Sequence, residues 1–238
     1  MQKMNQRKKV MLAIPLIVVT ALLGYSTLLG ISPGFESPSL EFPILESGDV
    51  ERLAAYHTPD WGEPGVFHNG IDLIIPNNVT IVAPVQGTIV SVGEQVNPYA
   101  GNTLFEITVA INWGWQVKLV LEPGFLDAAN NSLQHDMIDA VSGQRVVPGD
   151  ELATLLYSNN YAHLHYMLLR YGQDVCAYNY STAAAKTVFD TIASTSNSTI
   201  TYHYSEPNVL SSPMVIVPAA AIGAYVLLVY VVFRRFPG

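Results

Sequence analysis

The sequence predicts a mainly-β domain held between two membrane-spanning α-helices, and three observations carry that expectation. Six short segments rich in β-branched, aromatic and aliphatic residues follow one another between residues 79 and 169, each bounded by Gly, Pro or Asn. Two long apolar runs without a single charge flank them. All 19 acidic residues fall between those runs, against five basic ones, so the middle of the chain is strongly negative while both tips are basic. Such a middle repels phosphate backbones, which excludes a nucleic-acid partner. With 238 residues, 50% hydrophobic and 13% charged, and a mean hydropathy of +0.27, the chain is too apolar for a disordered protein or an ordinary soluble enzyme. A single cysteine, Cys176, rules out a disulfide framework and reads as a small buried hydrophobe.

Residues 1–9 form a basic tip carrying Lys3, Arg7, Lys8 and Lys9. Residues 10–31 are 22 residues without a charge, close to the roughly 20 that a helix needs to cross about 30 Å of hydrocarbon. The run exceeds the apolar core of a signal peptide and no small-residue cleavage site closes it, so it is expected to stay as an anchor. Residues 32–50, rich in Pro and Ser, are expected to be a spacer, and residues 51–182 to be the β domain. The expected strands are 79–82, 88–92, 104–111, 115–121, 151–156 and 163–169, which suggest a sandwich or barrel. A helix over 183–192 and a Ser/Thr-rich stalk complete 183–212, with His203 in the stalk. Residues 213–233 are the second expected span, and Arg234 and Arg235 in the tip 234–238 place both ends in the cytosol by the positive-inside rule. The domain is then extracytoplasmic on a two-pass cell-membrane protein, and the sequons at Asn78, Asn130, Asn179 and Asn197 are glycosylation candidates on that side. Oligomeric state is not legible.

Two histidine clusters carry the chemistry. In His163-Leu164-His165, period-2 alternation turns both imidazoles to one face of a strand and Leu164 to the other. In His68-Asn69-Gly70-Ile71-Asp72, the glycine permits a bend that lets His68 and Asp72 converge. Two ring nitrogens with a carboxylate oxygen suit zinc and leave one position open. His57 reads as an edge residue near the same groove, Tyr166 as a packing residue, and Trp113 and Trp115 as packing residues around a hairpin at Gly114.

The stretch HNGIDLIIPNNVTIVAPVQGTIVSVG from His68, then GQRVVPGDELATL from Gly143, then HLHYMLLRYGQDVCAYNY from His163, resembles the lysostaphin/LytM-type zinc metallopeptidases, which cut peptidoglycan peptides. The resemblance covers about residues 66 to 180. It implies an antiparallel β sandwich of the duplicated-hybrid-motif type, zinc as cofactor, His68, Asp72 and His165 as its ligands, and His163 as the catalytic histidine. An envelope peptide or protein would be the substrate. The family also carries a histidine in a Y-x-H-L strand, and this chain departs there: the corresponding strand is Gln116 to Pro123, without a histidine. Either Leu121 occupies that place and hydrolysis is crippled, or Glu122 or His135 substitutes. The resemblance therefore leaves open a degenerate enzyme acting as a zinc-binding or metal-free scaffold or regulator, or an accessory subunit of a membrane complex. A weaker likeness of APVQGTIVSVGEQV to biotinyl and lipoyl carrier domains lacks their modifiable lysine.

Overall fold

The computed structural model of the chain describes residues 34–158 and 161–202, together with Ile14, Gly24 and Ile31. Apart from those three positions, both expected spans, both tips and His203 lie outside the described residues. Among the described residues no helix is long and apolar enough to cross a membrane.

The described chain is mainly antiparallel β. The strands are β1 (Arg52–Ala54), β2 (Ile71–Ile74), β3 (Val79–Val82), β4 (Gly87–Val96), β5 (Thr103–Asn112), β6 (Trp115–Glu122), β7 (Arg145–Val146), β8 (Glu151–Leu155), β9 (His163–Arg170) and β10 (Gln173–Val175). Eight of them form one sheet in the order β1-β2-β9-β6-β5-β4-β7, with β10 paired to β9, while β3 and β8 pair separately. Both sheets contribute to one apolar core, which holds Ile81 and Leu152 from the small sheet and Ile107, Leu119 and Tyr166 from the large one.

Alternation along the central strands builds that core and, on the opposite face, the site. In β9, Leu164, Tyr166 and Leu168 are fully buried, and in β6 so are Val117, Leu119 and Leu121. Period-2 geometry therefore sends His163, His165 and Met167 of β9, and Lys118, Val120 and Glu122 of β6, to the other face. Cross-strand register sets Asp72 beside His165 and Glu122 beside His163.

The structure corrects two expectations at the domain borders. The segment predicted as a spacer is part of the core: Leu40 and Ile44 are buried and bridge to Ser181 and Ile81, and Phe42 meets Phe189 edge-on with centroids 4.9 Å apart. Its Pro and Ser residues conceal two apolar side chains, with Phe42 packed against the same core, whose burial outweighs the flexible composition. The helix α2 (Ala183–Ser196) outruns its expected end at 192; its companion α1 (Asn131–His135) lies in the long β6–β7 connection. Thr182 caps α2 by accepting from the Ala185 amide, Phe189 and Ile192 are buried, and Asn197 ends the helix at φ 52°. The chain then returns onto the domain, where Ser198 Oγ accepts from the Leu53 amide and Thr201 bridges to Tyr56. No free stalk begins at residue 194.

Candidate metal centre

His68 ends the β1–β2 connection, Asp72 lies in β2 and His165 in β9. Their ligand atoms form a small triangle: His68 Nε2 lies 3.0 Å from Asp72 Oδ1 and 3.1 Å from His165 Nδ1, and His165 Nδ1 lies 2.7 Å from Asp72 Oδ1. Each imidazole is oriented from behind. His68 Nδ1 lies 2.7 Å from the Ala55 carbonyl oxygen, which can only accept, so that nitrogen carries the proton and Nε2 presents a lone pair. His165 Nε2 donates to Asn69 Oδ1 at 3.1 Å, which in the same way bares Nδ1. Three lone pairs then converge on one point, two from neutral imidazoles and one from a carboxylate. Left so, they repel; a proton or a cation between them removes the repulsion. Zinc bonds of about 2.0–2.1 Å in a tetrahedral site hold donors roughly 3.3 Å apart, near the spacings found here. The donor set fits zinc, and the three residues leave one face open.

Burial raises the Asp72 carboxyl, but in the metal-free chain hydrogen bonds from His165 and then His68, made when a proton takes the cation's place on the inward nitrogen, outweigh it and hold the group well below the usual carboxylate range. The acid stays ionised in a fully buried position because its partners are there.

Gly70 is fixed by the same geometry. A Cβ there would stand 2.6 Å from His165 Cε1 and 2.8 Å from its Nε2, and 3.0 Å from the Tyr166 carbonyl oxygen. Gly70→Ala is expected to push the His165 ring off its partners and to weaken cation binding by roughly 10–100-fold, the scale of outer-shell lesions, in a competition titration against a chromophoric chelator. Trp61 stacks on the far side of His68, with centroids 4.1 Å apart and planes 24° from parallel. Nothing in the sequence marks Trp61: it lies in a turn closed by its own backbone amide, which donates to the Val66 carbonyl at 2.9 Å.

His163 stands beside the triangle, outside it. Its Nδ1 donates to the Tyr161 carbonyl at 2.8 Å, and its Nε2 faces Asp72 Oδ2 at 3.7 Å and Glu122 Oε1 at 3.5 Å. Burial alone would push this imidazole down, but the Glu122 carboxylate and then the charge on Asp72 raise it from 6.5 to about 9. A raised pKa of this sign means that, in the metal-free chain, the contact stabilises fully below pH 6.5 and is lost as pH rises through about 9. Urea midpoints of chelator-treated protein are expected to fall across that window, and less steeply in Glu122→Gln.

Leu121, Glu122 and His135 lie in three different surroundings. Leu121 is fully buried on the core side, opposite Leu164. Glu122 is on the open side, directly across from His163, and Asn97 Nδ2 approaches its other oxygen at 3.5 Å. His135 is not brought to the site: it ends α1 with a side chain 66% exposed, 3.9 Å from Glu94 and 3.7 Å from Asp136. The long loop holding it folds against β5 and β8 instead, where Asn131 donates to Thr103 Oγ1 and Gln134 to the Thr154 carbonyl. His57 turns to stack on Phe67, with centroids 4.2 Å apart. Asn78, Asn130, Asn179 and Asn197 are all exposed.

A cleft of about 650 Å³ opens over Asp72, His163, His165 and Glu122. Its floor continues along the sheet to an ion pair in which Lys118 Nζ reaches both Glu106 oxygens at 2.9 Å. Two loops meet across it: the Tyr99 ring of the β4–β5 turn lies against Gly62, where a Cβ would stand 2.8 Å from Cγ. Because β9 and β6 separate β2 from β5, that contact bridges the strands bearing the site.

No protein-family description and no curated protein matches the chain. Solved structures similar to it include a zinc-containing peptidase from Vibrio cholerae, at 18% identity over 58% of this chain and 39% of that one, with a TM-score of 0.42. A putative peptidase M23 from Pseudomonas aeruginosa is similar at 18% identity over 66% of this chain and 57% of that one, TM-score 0.40. The catalytic domain of the antimicrobial peptidase lysostaphin from Staphylococcus simulans is similar at 21% identity over 50% of this chain and 80% of that one, TM-score 0.34. The chain spans well under two thirds of the length of the first of these.

Proposed function

We propose that this chain is a membrane-anchored, extracytoplasmic zinc metalloendopeptidase that acts on envelope or cell-wall peptides. The observation that carries the proposal is the triangle of His68 Nε2, Asp72 Oδ1 and His165 Nδ1, each imidazole turned by a hydrogen bond from behind so that its bare nitrogen faces inward. Zinc bound by these three would supply a Lewis acid that polarises a peptide carbonyl and makes water more acidic. Around that point the chain's own residues divide the remaining work. The carboxylate of Glu122 accepts a proton from an incoming water. His163, its Nδ1 tied to the Tyr161 carbonyl, holds a proton on Nε2 where it can meet negative charge developing on the carbonyl oxygen or pass to the departing amine. The contact of Tyr99 with Gly62 limits what can lie over the sheet, which favours a slim, extended peptide of small residues. The sequence resemblance is to enzymes of peptidoglycan.

A second reading is favoured by the departure at residues 121–122: a chain that keeps zinc but hydrolyses nothing, serving as a scaffold, a regulator or an accessory subunit. The two readings separate in one experiment. The purified full chain is analysed for zinc, then incubated with cross-linked wall and with pentaglycine, with and without a chelator. Chelator-sensitive cleavage supports the peptidase. One zinc per chain with no cleavage overturns it in favour of the binding role, and no zinc at all overturns both.

A further inference from the structure

At the end of the large sheet remote from Glu122 and His163, three aromatic side chains gather where the chain enters the domain. Phe35 lies edge-on to Trp113, with centroids 5.8 Å apart, and tilted against Tyr171 at 6.2 Å. Phe35 is 54% exposed and Trp113 38%, so this cluster faces outward. The entering segment is tied to the β5–β6 hairpin by three hydrogen bonds. The Trp113 amide donates to the Gly34 carbonyl at 3.2 Å, Trp115 Nε1 to that of Phe35 at 3.3 Å, and Asn112 Nδ2 to that of Glu36 at 2.9 Å. The apolar run ends at Ile31, and three peptide steps to Gly34 reach at most about 11 Å. Ile31 itself is partly buried and lines a groove with Ile111 and Val146. A run that crosses a bilayer therefore delivers this hairpin to the lipid surface.

We propose that Phe35, Trp113 and Tyr171 seat the domain on the outer lipid interface of its own membrane. Tryptophan and tyrosine favour that depth because an apolar ring and a polar edge are satisfied together. The returning chain runs toward the same end: Thr201 bridges in parallel to Tyr56, whose hydroxyl donates to Asp174 Oδ2 of β10, just past the turn that holds Tyr171. The Trp115–Arg170 pair lies seven residues along the strands from the Glu122–His163 pair, roughly 24 Å at the rise of extended chain. Seated this way, the domain holds the Glu122–His163 end of its cleft away from the lipid, toward material beyond the headgroups. This docking rests on the anchoring proposed above and is independent of catalysis.

The test uses the full chain reconstituted in phosphatidylcholine vesicles, part of whose lipid is spin-labelled just below the headgroup. Tryptophan emission is expected to be quenched by the label, the quenched intensity to fall about twofold in Trp113→Phe, and to stay unchanged in Trp61→Phe, whose ring is at the cleft end. A chain that floats with the vesicles but shows no quenching, or equal quenching in wild type and Trp113→Phe, overturns the docking and leaves the anchoring intact. A chain that does not float overturns the anchoring and the docking with it.

Discussion

Replacing His165 with alanine is expected to abolish zinc binding at stoichiometric concentrations. Outer-shell lesions at such sites cost roughly 10–100-fold in affinity, and removal of a ligand should exceed that, about 10³-fold or more. The loss is selective because the other two ligands keep their supports: the His68–Ala55 hydrogen bond is untouched, and Asp72 keeps His68 at 3.0 Å. Asp72 nevertheless loses its shorter contact, the 2.7 Å one to His165 Nδ1, while remaining fully buried. An under-partnered buried acceptor costs about 1–3 kcal/mol, so the metal-free variant should unfold at lower urea than the metal-free parent. Zinc content by atomic emission and urea midpoints by circular dichroism measure the two effects separately. Retention of one zinc per chain in His165→Ala would sink the metal centre as drawn here.

Glu122→Gln carries the second large effect, and it acts on rate. The amide is nearly isosteric and stays across from His163, but it cannot take a proton, and loss of a general base costs roughly 10²–10⁴-fold in turnover. Zinc content should be unchanged, since Glu122 lies outside the triangle of ligand atoms. Glu122→His, which restores an imidazole on the open face of β6, is expected to recover much of the loss. Hydrolysis of the same wall substrate by Glu122→Gln at the parental rate would remove Glu122 from the mechanism, while equal inactivity of parent and variant would favour the binding-only reading.

The strands of the core were legible because their alternation is strong and local. Segments such as Trp115–Glu122 and His163–Arg170 carry apolar side chains at every second position, and the structure moves their borders by one residue, whereas the strand expected at 88–92 runs on to Val96. The short strands β1, β2, β7 and β10 were not singled out, although the equally short β3 was. β7 has two residues, too few for any periodicity, and β2 is buried at all four positions, so Asp72 interrupts an otherwise apolar run instead of alternating with it. The segment around Leu40 and Ile44 misled for a different reason: composition records that Pro and Ser are common there, and says nothing of the two side chains that find the core.

For the site, the chain's own order determined which side chains were available and, through the two-residue period of β9, that His163 and His165 share a face. It could not decide distances between segments nearly a hundred residues apart. Only the tertiary structure brings His68 and Asp72 against His165, sets the Ala55 carbonyl and the Asn69 amide behind the imidazoles, and lays Trp61 over His68. It alone turns Glu122 toward the cleft and Leu121 into the core, and carries His135 away on α1. The physical reason is that periodicity is a property of neighbouring residues, whereas the meeting of remote ones depends on strand register and on which loops the core leaves room for.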